Sequence, residues 1–141
     1  MKKLYLMACV LILATSIASA ADPEPFLKSA PMPFYPPLAR QARVEGTVTL
    51  RVTIDQDGNA KDVAALSGHP LLRNATVEYV KGWKLAWSHP CFCTVKREVT
   101  FLYKISGKEA TADSPLATVR WFGISRVEIE TAPPLEISVG Y

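Results

Sequence analysis

The cluster formed by His89, Cys91 and Cys93 holds the side chains best suited to bind a metal or to carry redox chemistry. An imidazole and two thiols at alternate positions could hold copper or zinc, and a Cys-x-Cys pair could also act as a redox site. Pro90 interrupts a regular strand through the cluster, and a structural zinc site usually needs a fourth ligand, for which the distant His69 is the histidine candidate. A metal-binding or redox protein is therefore the alternative interpretation, and we predict no cofactor.

The two cysteines of this cluster have three chemical states open to them. Cys91 and Cys93 can bond to each other, stay reduced, or pair with another chain. A disulfide between them would close a very tight ring. Because the Cα atoms of residues i and i+2 of an extended strand lie near the upper limit of disulfide geometry, the backbone would have to bend.

Two other groups of residues resemble catalytic or metal motifs but lack a necessary part. Ser67 and His69 could suggest nucleophilic catalysis, but no strand-turn-helix elbow is present and no carboxylate is placed to orient the imidazole. Asp55 and Asp57 stand before Gly58 as ordinary turn formers, and the remainder of a calcium loop is absent. The chain also has no glycine-rich phosphate loop, so we predict that it is not an enzyme.

The N-terminal residues 1–20 have the parts of a cleavable export signal. Lys2 and Lys3 form the positive region, an apolar run follows, and residues 18–20 are the small residues of a cleavage site. Cleavage before Ala21 predicts a periplasmic or secreted protein. An uncleaved signal would instead anchor the chain in the inner membrane, which is the alternative localisation.

The charge of the chain excludes one class of partner. Its 16 Lys+Arg and 13 Asp+Glu side chains give a net charge of +3, and removal of Lys2 and Lys3 lowers this to +1. Binding to nucleic acid or to an anionic lipid surface needs clustered basic residues that remain in the mature protein. We therefore predict no nucleic-acid partner, and membrane contact only if the signal is retained.

The hydrophobic pattern predicts a small α+β fold, with an antiparallel sheet in β-β-α-β order after a short N-terminal helix, packed on helices. Prolines make residues 21–34 an extended leader. The expected elements are a helix at 37–43, strands at 47–54 and 60–66 joined by a turn, a helix at 71–81 and a strand at 94–105. Residues 106–141 are interpreted as a C-terminal extension, in which the pattern allows two short strands at 118–122 and 124–130, turning at Gly123, and one more alternating stretch at 137–141.

Four groups of residues follow one another along 35–105: Tyr35-Pro36 leading through a short helix to Glu45-Gly46, the turn Ile54-Asp55-Gln56-Asp57-Gly58, Ser67-Gly68-His69-Pro70-Leu71-Leu72 at the helix entry, and Ala75 with Trp83-Lys84-Leu85. With these motifs, residues 35–105 resemble the TonB C-terminal domain family. These motifs agree in order and cover about half of the chain. Residues 106–141 are left unexplained by the resemblance.

The resemblance implies a periplasmic protein-binding module in TonB-dependent transport. In that family the domain captures a segment of an outer-membrane receptor, which adds to the sheet beside the last strand. Carried over to this chain, the edge-strand residues that contact an envelope partner are Thr94, Lys96, Arg97, Glu98, Val99, Thr100, Phe101 and Tyr103, and the family motif adds Tyr35 and Pro36. Such a polar edge is equally typical of a strand that avoids aggregation, and it also allows self-pairing into a homodimer.

Two departures from the family pattern alter what the resemblance implies. A transducer needs a retained anchor and a long spacer, whereas residues 21–37 span at most roughly 60 Å when fully extended. Residues 31–34, before the Tyr-Pro pair, lack the polar contact that family members have there. We therefore expect energy transduction only if the signal is retained. If residues 106–141 paired with the edge at 94–103, the protein itself would occupy the predicted site.

Overall fold

The computed structural model describes residues 23–107 and 117–134, and these residues form an α+β fold that consists mostly of strands. The elements are β1 (Pro25–Ser29), α1 (Pro37–Gln41), β2 (Gly46–Ile54), β3 (Ala60–Ser67), α2 (Pro70–Lys81), β4 (Lys84–Trp87), β5 (Val95–Ile105), β6 (Thr118–Phe122) and β7 (Arg126–Thr131). The predicted signal at 1–20 and the alternation at 137–141 lie outside the described residues.

Five of these strands form one sheet in the order β3-β2-β5-β7-β6, and β1 pairs with β4 in a separate two-stranded ribbon. The predicted sheet is antiparallel, whereas β7, which joins it from the C-terminal extension, runs parallel to β5. The other neighbours in both sheets are antiparallel. The large sheet is therefore mixed, with the C-terminal hairpin of β6 and β7 added beside β5.

The core lies on one face of the large sheet, under α2. Alternation in β2 buries Val48, Leu50, Val52 and Ile54, and the matching faces of β5 and β7 bury Val99, Phe101, Tyr103, Val127 and Ile129. Helix α2 packs against them with Leu72, Thr76, Tyr79 and Val80, and Trp83 follows just after its end. The opposite face of the sheet carries threonines and charged side chains, as is usual for a sheet with one solvated face.

Helix α2 begins one residue before the helix that the sequence predicts at 71–81. His69 is its N-cap, and its Nδ1 accepts a hydrogen bond from the amide of Leu71 at 3.2 Å. Pro70 occupies the first helical position, where its missing N–H removes no helical bond. His69 therefore has a structural role at the start of the helix, and Ser67 lies at the end of β3.

The predicted free edge at 94–103 is wrong for its second half. Residues 100–105 pair with β7, in a register that runs from Thr100 opposite Arg126 to Ile105 opposite Thr131. The physical reason is burial, since Val127 and Ile129 on β7 are apolar and are fully covered in this position. Residues 95–99, which we call the open segment, have β2 on one side and no strand of the described residues on the other.

Two strands were missed by the sequence analysis. The proline-rich leader contains β1, and residues 84–87, which lie between the predicted helix and the predicted last strand, form β4. Pro25 is the first residue of β1, a position that tolerates a missing backbone donor. Within residues 23–107 and 117–134, no helix has the length and apolar character needed to cross a membrane.

Candidate functional site

The open segment of β5 presents backbone groups that have no strand partner in the described structure. The Thr100 amide donates to the Ser125 carbonyl at 2.8 Å, and the Ser106 amide donates to the Thr131 carbonyl at 2.9 Å. The backbone N–H and C=O groups of even-numbered residues in this strand therefore point toward β7. Backbone groups of alternate residues in a strand point to the same side. The N–H and C=O groups of Lys96 and Glu98 therefore point away from β2, toward the unpaired side.

Strand β1 lies beside the open segment on the core side of the sheet. A carboxylate oxygen of Glu24, just before β1, lies 3.2 Å from Nη2 of Arg97. The Glu24 carbonyl also accepts a hydrogen bond from the Ser88 amide at 3.0 Å. These contacts fix the start of β1 against the inward-facing side chain of the open segment.

An apolar groove of about 280 Å³ lies between β1 and the turn of the C-terminal hairpin. Its lining residues are Pro25, Phe26 and Leu27 from β1, and Trp121, Gly123 and Ile124 from the hairpin. The Trp121 ring packs on buried Trp83 with 5.5 Å between the ring centroids, so this wall of the groove rests on the core. Phe26 is 52% exposed and Trp121 is 38% exposed, so aromatic surface remains open to solvent here.

The turn between β2 and β3 holds the ribbon that carries one wall of the groove. The Leu85 amide of β4 donates to the Gly58 carbonyl at 2.8 Å, and the Trp87 indole N–H donates to the Asp55 carbonyl at 3.2 Å. Gly58 has a φ of 80°, and a Cβ placed there would be 1.9 Å from the Leu85 carbonyl oxygen. Since β4 pairs with β1, this turn helps to position Phe26.

The carboxylate of Asp55 organises the same turn. One of its oxygens accepts hydrogen bonds from the amides of Asp57, at 3.0 Å, and Asn59, at 2.8 Å. Burial alone would raise the pKa of Asp55, but these hydrogen bonds and the nearby Lys61 charge together lower it below its usual value. Asp55 and Asp57 are therefore turn residues, as the sequence predicts, and Asp55 is the one that accepts the bonds.

The outward face of the open segment carries an uneven set of charges. The Glu98 carboxylate lies 3.1 Å from Nη2 of Arg51 on β2. Lys96 is exposed and forms no ion pair among the described residues. Among the described residues, the outward face of the open segment therefore carries one lysine whose charge is not paired.

The Cys91 and Cys93 thiols are joined in a disulfide. Their Cα atoms are 5.2 Å apart, so the backbone bends here in the way that a Cys-x-Cys disulfide requires. His89 Nδ1 lies 3.2 Å from the Ser88 hydroxyl, and Phe92 at the tip of the loop is 99% exposed. Residues 23–107 and 117–134 contain no group of His, Cys, Asp or Glu side chains that could hold a metal.

Tyr35 and Pro36, the predicted family-motif contacts, are both buried. The Tyr35 hydroxyl donates to the Val44 carbonyl at 2.5 Å, and its ring meets the Tyr103 ring edge-on with 5.3 Å between centroids. Burial, with the nearby Glu45 charge, raises the pKa of Tyr35 to about 12. Their contact with a partner stays a prediction, while the structure gives both residues a packing role.

The structure places some of the predicted edge residues in the open segment and others in the part of β5 that pairs on both sides. Lys96, Arg97 and Glu98 belong to the open segment, Val99 is buried on its core side, and Thr94 is exposed just before the strand. Thr100, Phe101 and Tyr103 lie where β5 pairs on both sides. Sequence reasoning missed the groove residues Phe26, Trp121 and Ile124. The aromatic pair at 121–122 beside a glycine turn was the pattern that could have drawn attention to them.

The described fold is a small α+β domain that presents an unpaired strand segment beside an apolar groove. A family model for the Gram-negative bacterial TonB protein C-terminal matches residues 31–105, which is more than half of the chain, and the chain belongs to this family. The resemblance predicted from the sequence is thus confirmed. No curated protein and no solved structure shows significant similarity to the chain.

Family membership supports a transport-associated, non-enzymatic role in the cell envelope, with a protein as partner. The matched range ends at the last residue of β5 and begins after β1. Every residue that lines the groove therefore lies outside the part of the chain that matches the family.

Proposed function

We propose that this protein is a periplasmic binding module of TonB-dependent transport that captures an extended segment of an outer-membrane receptor, or of another envelope protein, by strand addition at residues 95–99. The observation that carries this proposal is the unpaired side of the open segment. Lys96 and Glu98 direct backbone donors and acceptors to that side, where no described strand pairs with them and the Lys96 carbonyl accepts a long hydrogen bond from Nη1 of Arg97, at 3.4 Å. An added strand would satisfy these groups, which is the physical basis of strand addition.

The captured segment would lie in line with β7, since the pairing of β7 begins only at Thr100. At about 3.3 Å per residue, the open segment offers roughly 16 Å for pairing. Each backbone hydrogen bond in such a pairing contributes about 0.5–1.5 kcal/mol net. Backbone pairing at so short a segment gives modest affinity, so side-chain contacts must contribute to specificity.

In this proposal the partner adds beside the C-terminal hairpin and does not displace it. Val127 and Ile129 are fully buried, and burial of each aliphatic side chain contributes about 1.5–3 kcal/mol. Trp121 adds its contact with Trp83. Removing the hairpin would lose all of these contacts before a partner strand could make any.

A photo-crosslinking amino acid at position 96, in the native cell, tests this proposal. We expect an adduct with an envelope protein, joined through one short segment of that partner. The same amino acid at Lys104, an exposed lysine on the same face of β5 but in its paired half, is the matched control and should give no such adduct.

Two substitutions at Glu98 complete the test. Glu98→Pro removes the backbone donor on the unpaired side and should abolish the adduct, whereas Glu98→Ala removes the same carboxylate, keeps the donor and should retain it. Circular dichroism establishes that both variants are folded. An adduct with a second copy of this chain would show self-pairing instead, and an adduct unaffected by Glu98→Pro would refute strand addition at this segment.

A further inference from the structure

The apolar groove and the open segment lie side by side, and their geometry determines which side chain of a captured strand would enter the groove. Arg97 and Val99 face the core side of the sheet, the side on which β1 lies, while Lys96 and Glu98 face outward. An added strand alternates in the same way, so every second side chain points to the core side. At the open segment, that side is bounded by β1 and by the hairpin turn that Ser125 fixes to Thr100.

The chemistry of the groove selects an apolar occupant. Its walls are proline, aromatic and aliphatic side chains, and Phe26 and Trp121 leave part of their rings exposed to water. Covering such surface is favourable, and aromatic rings that remain partly exposed beside a pocket are typical anchors of an interface. A cavity of about 150 Å³ already holds a benzene ring, so about 280 Å³ accommodates one bulky aliphatic or aromatic side chain.

The outward face of the open segment places a second requirement on the sequence of the captured strand. Glu98 is neutralised by Arg51, but Lys96 has no ion pair within the described residues. The residue of the added strand that neighbours the groove residue points outward and meets this lysine. An acidic side chain is the complementary choice, because opposite charges on neighbouring strands stabilise the pairing.

We infer that the groove between β1 and the C-terminal hairpin is a specificity pocket, and that the captured segment carries a bulky apolar residue next to an acidic residue. The inference rests on the proposed function, since it assumes a strand at residues 95–99. The pocket residues lie outside the matched family range, so this specificity belongs to the added strands of this chain.

Selection from a displayed library of random nine-residue peptides tests the inference. On the folded protein we expect enriched peptides to share a large apolar residue beside Asp or Glu. Phe26→Glu, at an exposed groove residue, should weaken binding of the selected peptide about tenfold and remove the apolar preference. Leu38→Glu is the matched control and should leave binding unchanged, because Leu38 is exposed on α1, and α1 contacts the far end of β7 through the Arg40 bond to the Ala132 carbonyl.

Lys96→Ala, compared with Lys104→Ala, tests the acidic preference. We expect about a twofold to fivefold loss for the first variant and none for the second. Enriched peptides without a shared apolar residue, or full binding by Phe26→Glu, would overturn the pocket. If Glu98→Pro still abolished binding, strand addition would nevertheless stand. If Glu98→Pro bound normally, or if no peptide were enriched, the proposed function would fail as well.

Discussion

Residues 95–99 and residues 100–105 belong to one strand and alternate in the same way, yet within the described structure only the second group has a strand on each side. The difference comes from the C-terminal hairpin, which lies outside the family range and covers only part of β5. The comparison shows that an appended hairpin can shorten the exposed edge of a family strand and supply new side chains beside what remains. The experiments below test each half of this contrast.

The largest effect is expected from shortening a buried side chain of β7, the strand that pairs with residues 100–105. Ile129→Ala should destabilise the protein by about 2–5 kcal/mol, because Ile129 is fully buried against the sheet core. Urea unfolding measures this change, with exposed Lys96→Ala as the control expected to remain within about 0.5 kcal/mol of the wild type. A loss below about 0.5 kcal/mol for Ile129→Ala would show that the hairpin is not packed as described.

Proline substitution distinguishes the two halves of β5, 95–99 and 100–105, at residues whose backbone N–H groups point away from β2. Leu102→Pro removes an amide that faces β7, and we expect a loss of about 3 kcal/mol or more. Glu98→Pro removes an amide on the unpaired side and should cost about 1 kcal/mol, close to the effect of an edge position. Equal losses in urea unfolding at the two sites would contradict the contrast.

Alkaline pH should lower the free energy of unfolding through Tyr103, which lies in the paired residues 100–105. Burial raises the pKa of Tyr103 to about 12, although its hydrogen bond with Thr76, at 2.7 Å between the oxygens, opposes the shift. An unfolded tyrosine ionises near pH 10, so the stabilisation is complete below that value and is lost between about pH 10 and pH 12.

For Tyr103 this loss amounts to about 2–3 kcal/mol. Urea midpoints measured from pH 8 to pH 12 should fall above pH 10, and Tyr103→Phe should fall less steeply. A wild-type midpoint that is constant up to pH 12 would contradict the burial of this hydroxyl.

A smaller effect is expected at the turn that supports the groove wall. Asp55→Ala should cost about 1–2 kcal/mol at neutral pH, because two amides lose their acceptor. The lowered pKa of Asp55 means that its contribution is present above the unfolded carboxyl pKa and is lost as the pH falls through the folded value. The difference between wild type and variant should therefore shrink as the pH falls below the ordinary carboxyl range. Asp57→Ala, at an exposed neighbour, is the control expected to have little effect at any pH.

The elements that sequence predicts best are those whose pattern is local. Alternation at 47–54 and 94–105, and the helical spacing after His69, reflect burial of one face and are visible within a short window. The turn at Gly123 was also predicted, and its φ of 68° agrees with a glycine at that position.

The remainder depends on contacts between distant parts of the chain. Strand β1 exists because it pairs with β4, and its own proline-rich sequence favours only an extended chain. The groove brings Phe26 together with Trp121, residues that no local pattern relates. The unpaired length of β5 is likewise decided by where β7 begins, which is a matter of register and not of composition.

Hydrogen exchange of individual β5 amides tests the central claim most directly. In the free protein, the Lys96 and Glu98 amides should exchange rapidly, while those of Thr100 and Leu102, which face β7, should be strongly protected. Addition of a peptide selected on the folded protein should slow exchange at Lys96 and Glu98 and leave Thr100 and Leu102 unchanged. Protection of Lys96 and Glu98 in the free protein, or no change there on peptide binding, would contradict an open strand segment that captures a partner.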